Sequence, residues 1–315
     1  MRIVFMGTPD FAVETLEALI TAGYDVCCVV TQPDRQKGRG KEVQISPVKA
    51  CALKHGLEVF QPERIRNEQA VEQLRKYRGD LFIVVAFGQI LSPEILSMPS
   101  YGCVNVHASL LPKYRGAAPI QWAILDGEKQ TGVTLQRMDE GIDTGDIIAQ
   151  EIVEIRNSET GESLFQKLSG CGAQLLIHTL PLIENHTAVY TKQDHSASSY
   201  AKMLKKEMGL LDFNQPAMVL ERKIRGLNPW PSAYTYYKGK MLKIWEAEVE
   251  NEKETLLPRK DKMPGTVAAV NRNGFSIATG QGELWIKQVQ AEGKKRMSAA
   301  DFLLGNPLTE GQLLN

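Results

Sequence analysis

An asparagine and a histidine stand two positions apart in this chain, at the end of an apolar segment. Asn105 and His107 close the run that begins at Cys103, and a turn rich in proline and glycine follows them. Alternate residues of a β-strand point to the same face, so the two side chains should converge. Two hydrogen-bond donors aimed at one spot can stabilise the oxyanion of an acyl transfer. A turn cap beside a structural histidine is the competing interpretation, but the strand end favours chemistry.

A loop rich in glycine and acidic residues can supply a carboxylate for this histidine. Residues 138–146, MDEGIDTGD, hold four carboxylates and two glycines, which is typical of a loop. Asp143 lies between residues that permit unusual backbone conformations, and a carboxylate beside His107 would favour the imidazolium and fix its orientation. The alternatives are a plain turn between two strands or a cation site. The spacing does not match a calcium-binding loop.

A basic loop, QPDRQKGRGK at residues 32–41, follows the second predicted strand. Its cations favour a mobile arm that grips phosphate, and a solvated flexible loop is the alternative. The loop lacks the GxxxxGK[ST] spacing of a P-loop. The segment after Gly7 lacks GxGxxG, so a dinucleotide cofactor is not expected.

Alternating strands and helices must position these residues. In chain order the predicted elements of the first part are strands at 2–6, 25–30, 57–60, 81–86, 103–107, 132–138 and 146–155, and helices at 10–22, 47–55, 67–78, 119–125 and 162–185. The continuous apolar run at 81–86 is typical of a strand covered on both faces. This order predicts an α/β fold with a Rossmann-like, mostly parallel sheet. Ligands of such sheets bind beyond the carboxyl ends of the strands.

The second part of the chain has the pattern of a small β-domain. Residues 190–207 are polar and weakly patterned, which indicates a linker between a domain at 1–189 and another at 208–315. The elements predicted after it are a helix at 217–226 and strands at 233–237, 241–248, 265–270, 275–279 and 284–289. Five short strands in so few residues favour a small closed barrel of the OB type.

Composition narrows the class of protein. The 315 residues include 37 basic and 37 acidic side chains, yet residues 190–315 hold 19 basic against 14 acidic ones. That excess is compatible with a polyanionic partner or with a chance surplus of surface lysine. No stretch is apolar enough for a membrane span and no cleavable leader is recognisable, so we expect a cytoplasmic protein without membrane contact. The five cysteines lack metal-binding spacing and are expected to be reduced thiols.

Taken together, the motifs resemble the family of methionyl-tRNA formyltransferases. The segments that carry the resemblance are MGTPDF at 6–11, QPDRQKGRGK at 32–41, VVAFGQIL at 84–91, NVHASLLPKYRGAAPIQ at 105–121, MDEGIDTGD at 138–146 and IRGLNPWP at 224–231. They span nearly the whole chain in order, and as a set they are highly specific. The Asn…His…Asp arrangement alone is less specific, because other enzymes that use 10-formyltetrahydrofolate share it.

The resemblance implies transfer of a formyl group from 10-formyltetrahydrofolate, the co-substrate, to the amino group of methionine on initiator tRNA. Asn105, His107 and Asp143 match the family's catalytic residues, and no metal or nucleotide cofactor is expected. The residues expected to bind folate are Ser109, Leu110, Leu111, Pro112, Phe87, Gly88, Gln89 and Ile90. The residues expected to bind tRNA are Arg39, Lys41, Lys205, Lys206, Lys223 and Arg225. We expect a monomer.

Other functions stay open at this point. A formyltransferase for an amino sugar nucleotide would share the folate-binding half, although residues 117–121 and the basic loop favour the tRNA enzyme. Hydrolysis of formyltetrahydrofolate would use water in place of the amine. A non-catalytic RNA-binding or folate-sensing protein would not need Asn105, His107 and Asp143 together.

Overall fold

The computed structural model describes residues 1–37, 42–249 and 262–314. Its chain divides into two compact units. Unit 1 comprises Met1–Pro119, Gln130–Glu154 and Phe165–Ala201, and unit 2 comprises Ile120–Lys129, Ile155–Leu164 and Lys202–Asn315. The chain therefore passes between the units more than once, a feature that linear boundaries at 189 and 208 do not describe. Those boundaries stay a prediction.

The first part of the chain alternates strands and helices. Its elements are β1 (Arg2–Gly7), α1 (Asp10–Thr21), β2 (Asp25–Val30), β3 (Arg35–Lys37), β4 (Glu42–Gln44), α2 (Pro47–Lys54), β5 (Val59–Phe60), α3 (Glu68–Tyr77), β6 (Leu81–Val85), α4 (Pro93–Leu96), β7 (Cys103–His107), β8 (Arg115–Gly116), α5 (Pro119–Leu125), β9 (Gln130–Arg137), β10 (Ile147–Glu154), α6 (Gly161–Glu184) and β11 (Tyr200–Ala201). Within the described ranges, no helix combines the length and the apolar character that crossing a bilayer requires.

A seven-stranded sheet in the order β10-β9-β7-β6-β1-β2-β5 forms the centre of unit 1. The five strands from β7 to β5 in this order pair in parallel, whereas β9 is antiparallel to both β7 and β10. All five residues of β6 are buried, as the apolar run predicted for a strand covered on both faces. The prediction of an α/β, Rossmann-like and mostly parallel sheet is confirmed.

Four short strands in the first part of the chain escaped prediction. β3 pairs with β4, and β8 pairs in parallel with β11. Each has two or three residues, which is too few to show an alternation of apolar and polar side chains. The pairing of β8 with β11 matters for the site, because it ties residues 200–201 of the predicted linker to residues 115–116 of unit 1.

The described part of unit 2 after residue 201 contains an antiparallel sheet and two α-helices. From residue 202 onward its elements are α7 (Ala217–Gly226), β12 (Ala233–Tyr237), β13 (Lys240–Val249), β14 (Val267–Asn271), β15 (Gly274–Ala278), β16 (Glu283–Ala291), β17 (Met297–Ser298) and α8 (Ala299–Gly305). The strand order is β12-β13-β16-β15-β14, with β17 beside β16. Apolar side chains of these strands, α7 and α8 form one core around Phe275 and Phe302. The five predicted strands are present and agree with an OB-like architecture.

The prediction of a closed barrel is wrong for the residues that the structure describes. The two edge strands of the sheet, β12 and β14, do not pair with each other. Neighbouring chain segments satisfy the two edges instead. Leu210 bridges to Tyr234 on β12, and the backbone of Val267 on β14 exchanges hydrogen bonds of 2.8 Å with Gly311 and Gln312. An edge that is covered by a segment of its own chain needs no partner strand to satisfy its backbone groups.

Candidate active site

The carboxyl end of β7 carries Asn105 and His107 on one face of the strand, as the spacing predicted. Asn105 lies opposite Gln136 on β9, and His107 lies opposite Thr134 on the same strand. Asn105 is partly exposed, whereas His107 is only 6% exposed. The imidazole is therefore held inside the protein, while the amide reaches the surface of the site.

Asp143 is the point at which the polar groups of the site meet. Its Oδ1 atom accepts hydrogen bonds from Gln136 Nε2 at 2.9 Å and from Asn105 Nδ2 at 3.3 Å. The same oxygen lies 3.6 Å from His107 Nδ1. Its Oδ2 atom accepts a hydrogen bond of 2.8 Å from the backbone N–H of Gly116. The predicted convergence of Asn105, His107 and Asp143 is thus present in the structure.

The loop between β9 and β10 gives Asp143 an uncommon backbone conformation. Its φ is +53°, in the left-handed region, which aspartate occupies more readily than most residues with a side chain. Asp139 Oδ1 accepts a hydrogen bond of 2.6 Å from Thr144 Oγ1, which closes the loop. Gly145 has no room for a side chain, because an added Cβ would lie 1.8 Å from the Arg137 carbonyl oxygen. The acid- and glycine-rich composition thus serves the placement of one carboxylate.

The two ring nitrogens of His107 face different partners. Nε2 lies 2.9 Å from the carbonyl oxygen of Tyr114. A carbonyl only accepts hydrogen bonds, so Nε2 carries a hydrogen and donates it. Nδ1 faces Asp143 and is therefore the nitrogen that can give or take a proton near the strand end. Tyr114 has a φ of +60°, which is rare for a bulky residue and turns its carbonyl towards the ring.

The turn after β7 is fixed by two residues of the neighbouring strands. Thr134 Oγ1 donates to the Ser109 carbonyl at 2.6 Å and accepts from the Leu111 N–H at 3.1 Å. Gln150 Nε2 donates to the Leu111 carbonyl and to Thr134 Oγ1, both at 2.9 Å. The peptide bond between Leu111 and Pro112 is cis. These bonds give the turn one defined backbone path beside the site.

The four turn residues predicted to bind folate differ in access. Ser109 is fully buried, and its hydroxyl donates to the Lys113 carbonyl at 2.6 Å. Leu111 is also buried. Leu110 and Pro112 remain partly exposed. Side-chain contacts with a ligand are therefore open to Leu110 and Pro112, while Ser109 and Leu111 shape the turn.

The segment predicted to form a wall of the folate pocket follows β6 directly. Phe87 is buried in the core of unit 1. Gln89 Oε1 accepts a hydrogen bond of 2.7 Å from the Ile65 N–H, so this side chain serves the protein's own backbone. Gly88 and Ile90 are exposed, and Gly88 has a φ of +83°. Among the predicted residues 87–90, the accessible surface thus comes from the backbone at Gly88 and the side chain of Ile90.

Three site residues were missed from the sequence. Gln136 faces Asp143 from β9, and its Oε1 is buried without a hydrogen-bond partner among the residues that the structure describes. Its place near the carboxyl end of a predicted strand was the available signal. Arg115 and Gln193 contact each other, and Gln193 contacts the loop that holds Asp143. Gln193 carried no signal, because its segment has the composition of a linker.

The residues predicted to bind tRNA fall into three groups. Arg39 and Lys41 lie outside the described residues. Lys205 and Lys206 are exposed. Lys223 and Arg225 on α7 have contacts within unit 2 instead.

Lys223 Nζ donates to the Leu210 carbonyl at 2.7 Å, and burial lowers the pKa of this lysine. Arg225 pairs with Glu221 and donates through Nη1 to the Glu159 carbonyl at 2.7 Å. Lys223 and Arg225 are therefore engaged in holding unit 2 together, in contrast with Lys205 and Lys206.

Within the described residues, the thiols and the possible metal ligands form no hydrogen bond with Asn105, His107 or Asp143. Burial raises the pKa of Cys103, on β7, to about 12, so this thiol stays protonated at neutral pH.

Over the described part of the chain, one group of three potential metal ligands converges within 4.8 Å: Glu17, Cys51 and His55 on α1 and at the end of α2. Glu17 accepts hydrogen bonds from His55 at 2.8 Å and from Lys54 at 3.1 Å. Ion pairing between the two helices explains why these three side chains lie close together.

The arrangement at the end of β7 suits acyl transfer to an amine. The Asn105 amide carries two hydrogens, and one of them points to Asp143. Its second hydrogen has no protein partner within the ranges described. A histidine nitrogen and a carboxylate next to such a donor can stabilise an oxyanion and move a proton.

Comparison with known proteins places both parts of the chain in one family. Residues 1–180 match the family model described as formyl transferase, and residues 203–307 match the model described as formyl transferase, C-terminal domain. A methionyl-tRNA formyltransferase from Lachnospira eligens is 57% identical over 314 residues, which cover 100% of this chain and 99% of that protein. A methionyl-tRNA formyltransferase from Agathobacter rectalis is 55% identical over 311 residues, which cover 99% of this chain and 98% of that protein.

Solved structures share the fold at lower identity. WlaRD, a sugar 3N-formyl transferase crystallised in the presence of dTDP and 5-N-formyl-THF, superposes with a TM-score of 0.67. The match covers 94% of this chain and 99% of that one, at 23% identity. At that identity the likeness concerns the fold.

Proposed function

Because this chain belongs to the formyltransferase family, we propose that it transfers the formyl group of 10-formyltetrahydrofolate to the amino group of methionyl initiator tRNA. The observation that carries the proposal is the meeting of Asn105, His107 and Asp143 at the end of β7. The relatives named methionyl-tRNA formyltransferase match over the whole chain, which favours tRNA as acceptor over a sugar nucleotide.

The chemistry follows from the donors at the strand end. The free amine of the methionyl group attacks the formyl carbon, and a tetrahedral oxyanion forms. The second N–H of Asn105 and the Nδ1–H of a protonated His107 donate to that oxygen. Donors that are already in place for the developing charge lower the barrier, and losing one typically costs about 10²- to 10³-fold in rate.

The bonds and protons balance without a covalent enzyme intermediate. The bond between the amine nitrogen and the formyl carbon forms, and the bond between that carbon and N10 of the folate breaks. The amine loses one proton and N10 gains one. His107 Nδ1 and Asp143 lie together where such a transfer can be relayed, with Nε2 held by the Tyr114 carbonyl.

Folate binding in this proposal uses the edge of the sheet beside the catalytic residues. Leu110 and Pro112 offer apolar surface on one side, and Gly88 and Ile90 lie after the next strand in the sheet. A related fold was crystallised with 5-N-formyl-THF, which supports a folate derivative as the ligand. The full co-substrate, 10-formyltetrahydrofolate, is the part of the proposal that a binding measurement must establish.

Recognition of tRNA is assigned to cations that solvent can reach. Lys205 and Lys206 on unit 2 meet this requirement, and Arg39 and Lys41 belong to the proposal through the sequence alone. Phosphate contacts release bound counterions, so binding should weaken steeply as salt rises. A tRNA substrate also implies a cytoplasmic location. A monomeric state stays a prediction.

The test is formyl transfer from 10-formyltetrahydrofolate with several acceptors in parallel. Methionyl initiator tRNA, methionyl elongator tRNA, an amino sugar nucleotide and water are compared at equal enzyme concentration. We expect fast formylation of the initiator alone. Formylation of the sugar, or folate turnover without an acceptor, would overturn the proposal while leaving the strand-end chemistry in place.

A further inference from the structure

The segment predicted as a linker reaches into the site through Gln193. Its Nε2 atom donates to the Asp143 carbonyl at 3.0 Å and to the Gly145 carbonyl at 2.7 Å. One side-chain amide therefore holds the backbone at Asp143 itself and two positions beyond it. Gln193 is only 6% exposed, so water cannot easily replace these bonds.

The other end of the Gln193 amide is fixed by a buried arginine. Arg115 donates to Gln193 Oε1 through Nη2 at 2.6 Å and through Nε at 3.2 Å. Arg115 Nη2 also lies 3.1 Å from His195 Nδ1. Its exposure is 2%, and no carboxylate pairs with it in the part of the chain that the structure describes. Burying a guanidinium without a counter-charge costs free energy, so the position of Arg115 inside the protein calls for a structural or functional explanation.

Arg115 and Gly116 together hold the carboxylate and the backbone of Asp143. The Gly116 N–H donates to the Asp143 carboxylate at 2.8 Å, while Arg115 acts through Gln193 on the Asp143 backbone. The backbone needs such support because its φ of +53° is unfavourable for a residue with a side chain. If the loop relaxed, the carboxylate would move away from His107 and Asn105.

We propose that Arg115 and Gln193 are positioning residues of the formyl-transfer site: Arg115 orients the Gln193 amide, which holds Asp143 against His107. The inference rests on the proposed function, because its readout is formyl transfer. It assigns a role to residues 190–201 that a linker would not have. Neither residue needs to touch a substrate, so the effect should fall on turnover and not on substrate binding.

Gln193→Glu separates positioning from stability. The glutamate keeps the shape of the side chain and an oxygen for Arg115, and it gives the buried guanidinium a counter-charge. It loses the N–H donors to the Asp143 and Gly145 carbonyls. The new ion pair with Arg115 offsets the loss of the two bonds to carbonyls, so we expect a folded variant with a melting temperature close to that of the wild type and kcat reduced about 10- to 100-fold, as small misplacements at active sites cause. KM for folate and for tRNA should stay within about twofold.

Gln290→Glu is the matched control. Gln290 also accepts a hydrogen bond from a side chain, Trp245 Nε1 at 3.1 Å, and donates one to a backbone carbonyl, that of Lys294, at 2.8 Å. The same change there removes a similar donor in unit 2. It should leave kcat unchanged.

A double-mutant cycle with Asp143→Asn shows through which group Gln193 acts. If Gln193 works only through the Asp143 carboxylate, Gln193→Glu should lower kcat by no more than about twofold in the Asp143→Asn background. A full effect in that background would overturn the inference, as would a wild-type kcat in the single variant. If the wild type itself transfers no formyl group to methionyl initiator tRNA, the proposed function fails instead, and the two failures are distinct.

Discussion

The two units of this protein keep their functional side chains in opposite environments. In unit 1, His107, Arg115 and Gln136 are almost completely buried, and chain atoms hold them in one arrangement. In unit 2, two of the cations predicted to bind tRNA, Lys205 and Lys206, are exposed.

This difference follows from what each task demands. Stabilising an oxyanion requires donors fixed within a fraction of an ångström, and only packing and hydrogen bonds supply that order. Attracting a phosphate backbone requires charge that solvent and ligand can reach. Under the proposed function, the buried polar groups of unit 1 perform the chemistry and the exposed charge of unit 2 contributes to recognition.

The largest effect should come from removing the donors of unit 1. We expect Asn105→Ala and His107→Ala each to lower kcat by about 10²- to 10³-fold, because a preorganised donor is lost. Steady-state formylation of methionyl initiator tRNA measures this. Asn185→Ala and His178→Ala replace exposed residues of the same types and should have wild-type rates. Near-normal turnover in both site variants would remove the distinction between the units.

A smaller effect is expected from the exposed cations of unit 2. The double variant Lys205→Ala/Lys206→Ala should raise KM for tRNA about tenfold and reduce the slope of log affinity against log salt by about two. KM for folate should not change. Lys294→Ala/Lys295→Ala removes two exposed adjacent lysines from the same unit and serves as the control. Equal losses in both double variants would mean that total charge, and not these positions, attracts tRNA.

The partly buried Arg225 of unit 2 should behave differently from the exposed lysines. Arg225→Ala removes the pair with Glu221 and the bond to the Glu159 carbonyl, so the free energy of unfolding should fall by about 1–3 kcal/mol. Urea denaturation measures the loss. Affinity for tRNA, measured where the variant is folded, should stay close to that of the wild type. Weaker tRNA binding at unchanged stability would place Arg225 with Lys205 and Lys206.

The smallest effect concerns the buried thiol of Cys103, at the start of the strand that carries Asn105 and His107. Burial raises the pKa of Cys103 to about 12 from the 9.0 of an exposed thiol. In the unfolded chain the thiol ionises at lower pH, so its contribution to stability is complete below pH 9 and is lost as pH rises towards 12. The loss is about 1.4 kcal/mol per pH unit in that window. Cys103→Ser should show a smaller decline in unfolding free energy between pH 8 and about pH 10. An identical decline would argue against a buried, protonated Cys103.

The sequence predicts the parts of the fold and the site whose signals are local. β2 and β7 begin and end at the predicted residues, because each is a short apolar run bounded by turn residues. Asn105, His107 and Asp143 were recognisable because strand ends and glycine-rich loops have characteristic compositions. The same local reasoning expected a closed barrel, which the described strands do not form, since chain segments near 210 and 311 cover its edges.

The parts that escaped prediction depend on contacts between distant segments. Gln193 contacts the Asp143 backbone from 50 positions further along the chain, and residues 200–201 pair with residues 115–116 across a similarly long separation. Arg115 looks like a surface residue in the sequence, and only folding reveals that it is buried. Ser109 and Phe87 match a folate-binding pattern, yet their side chains are buried. One short motif contains both residues that shape a pocket and residues that line it, and the sequence does not distinguish the two kinds.

Single-turnover formylation over a range of tRNA concentrations tests the division of tasks between the units most directly. The wild type, Asn105→Ala and Lys205→Ala/Lys206→Ala are compared with saturating 10-formyltetrahydrofolate. We expect the lysine variant to reach the wild-type rate once tRNA saturates, and the asparagine variant to stay slow at every tRNA concentration. A lysine variant that stays slow at saturation, or an asparagine variant that recovers with more tRNA, would contradict this division.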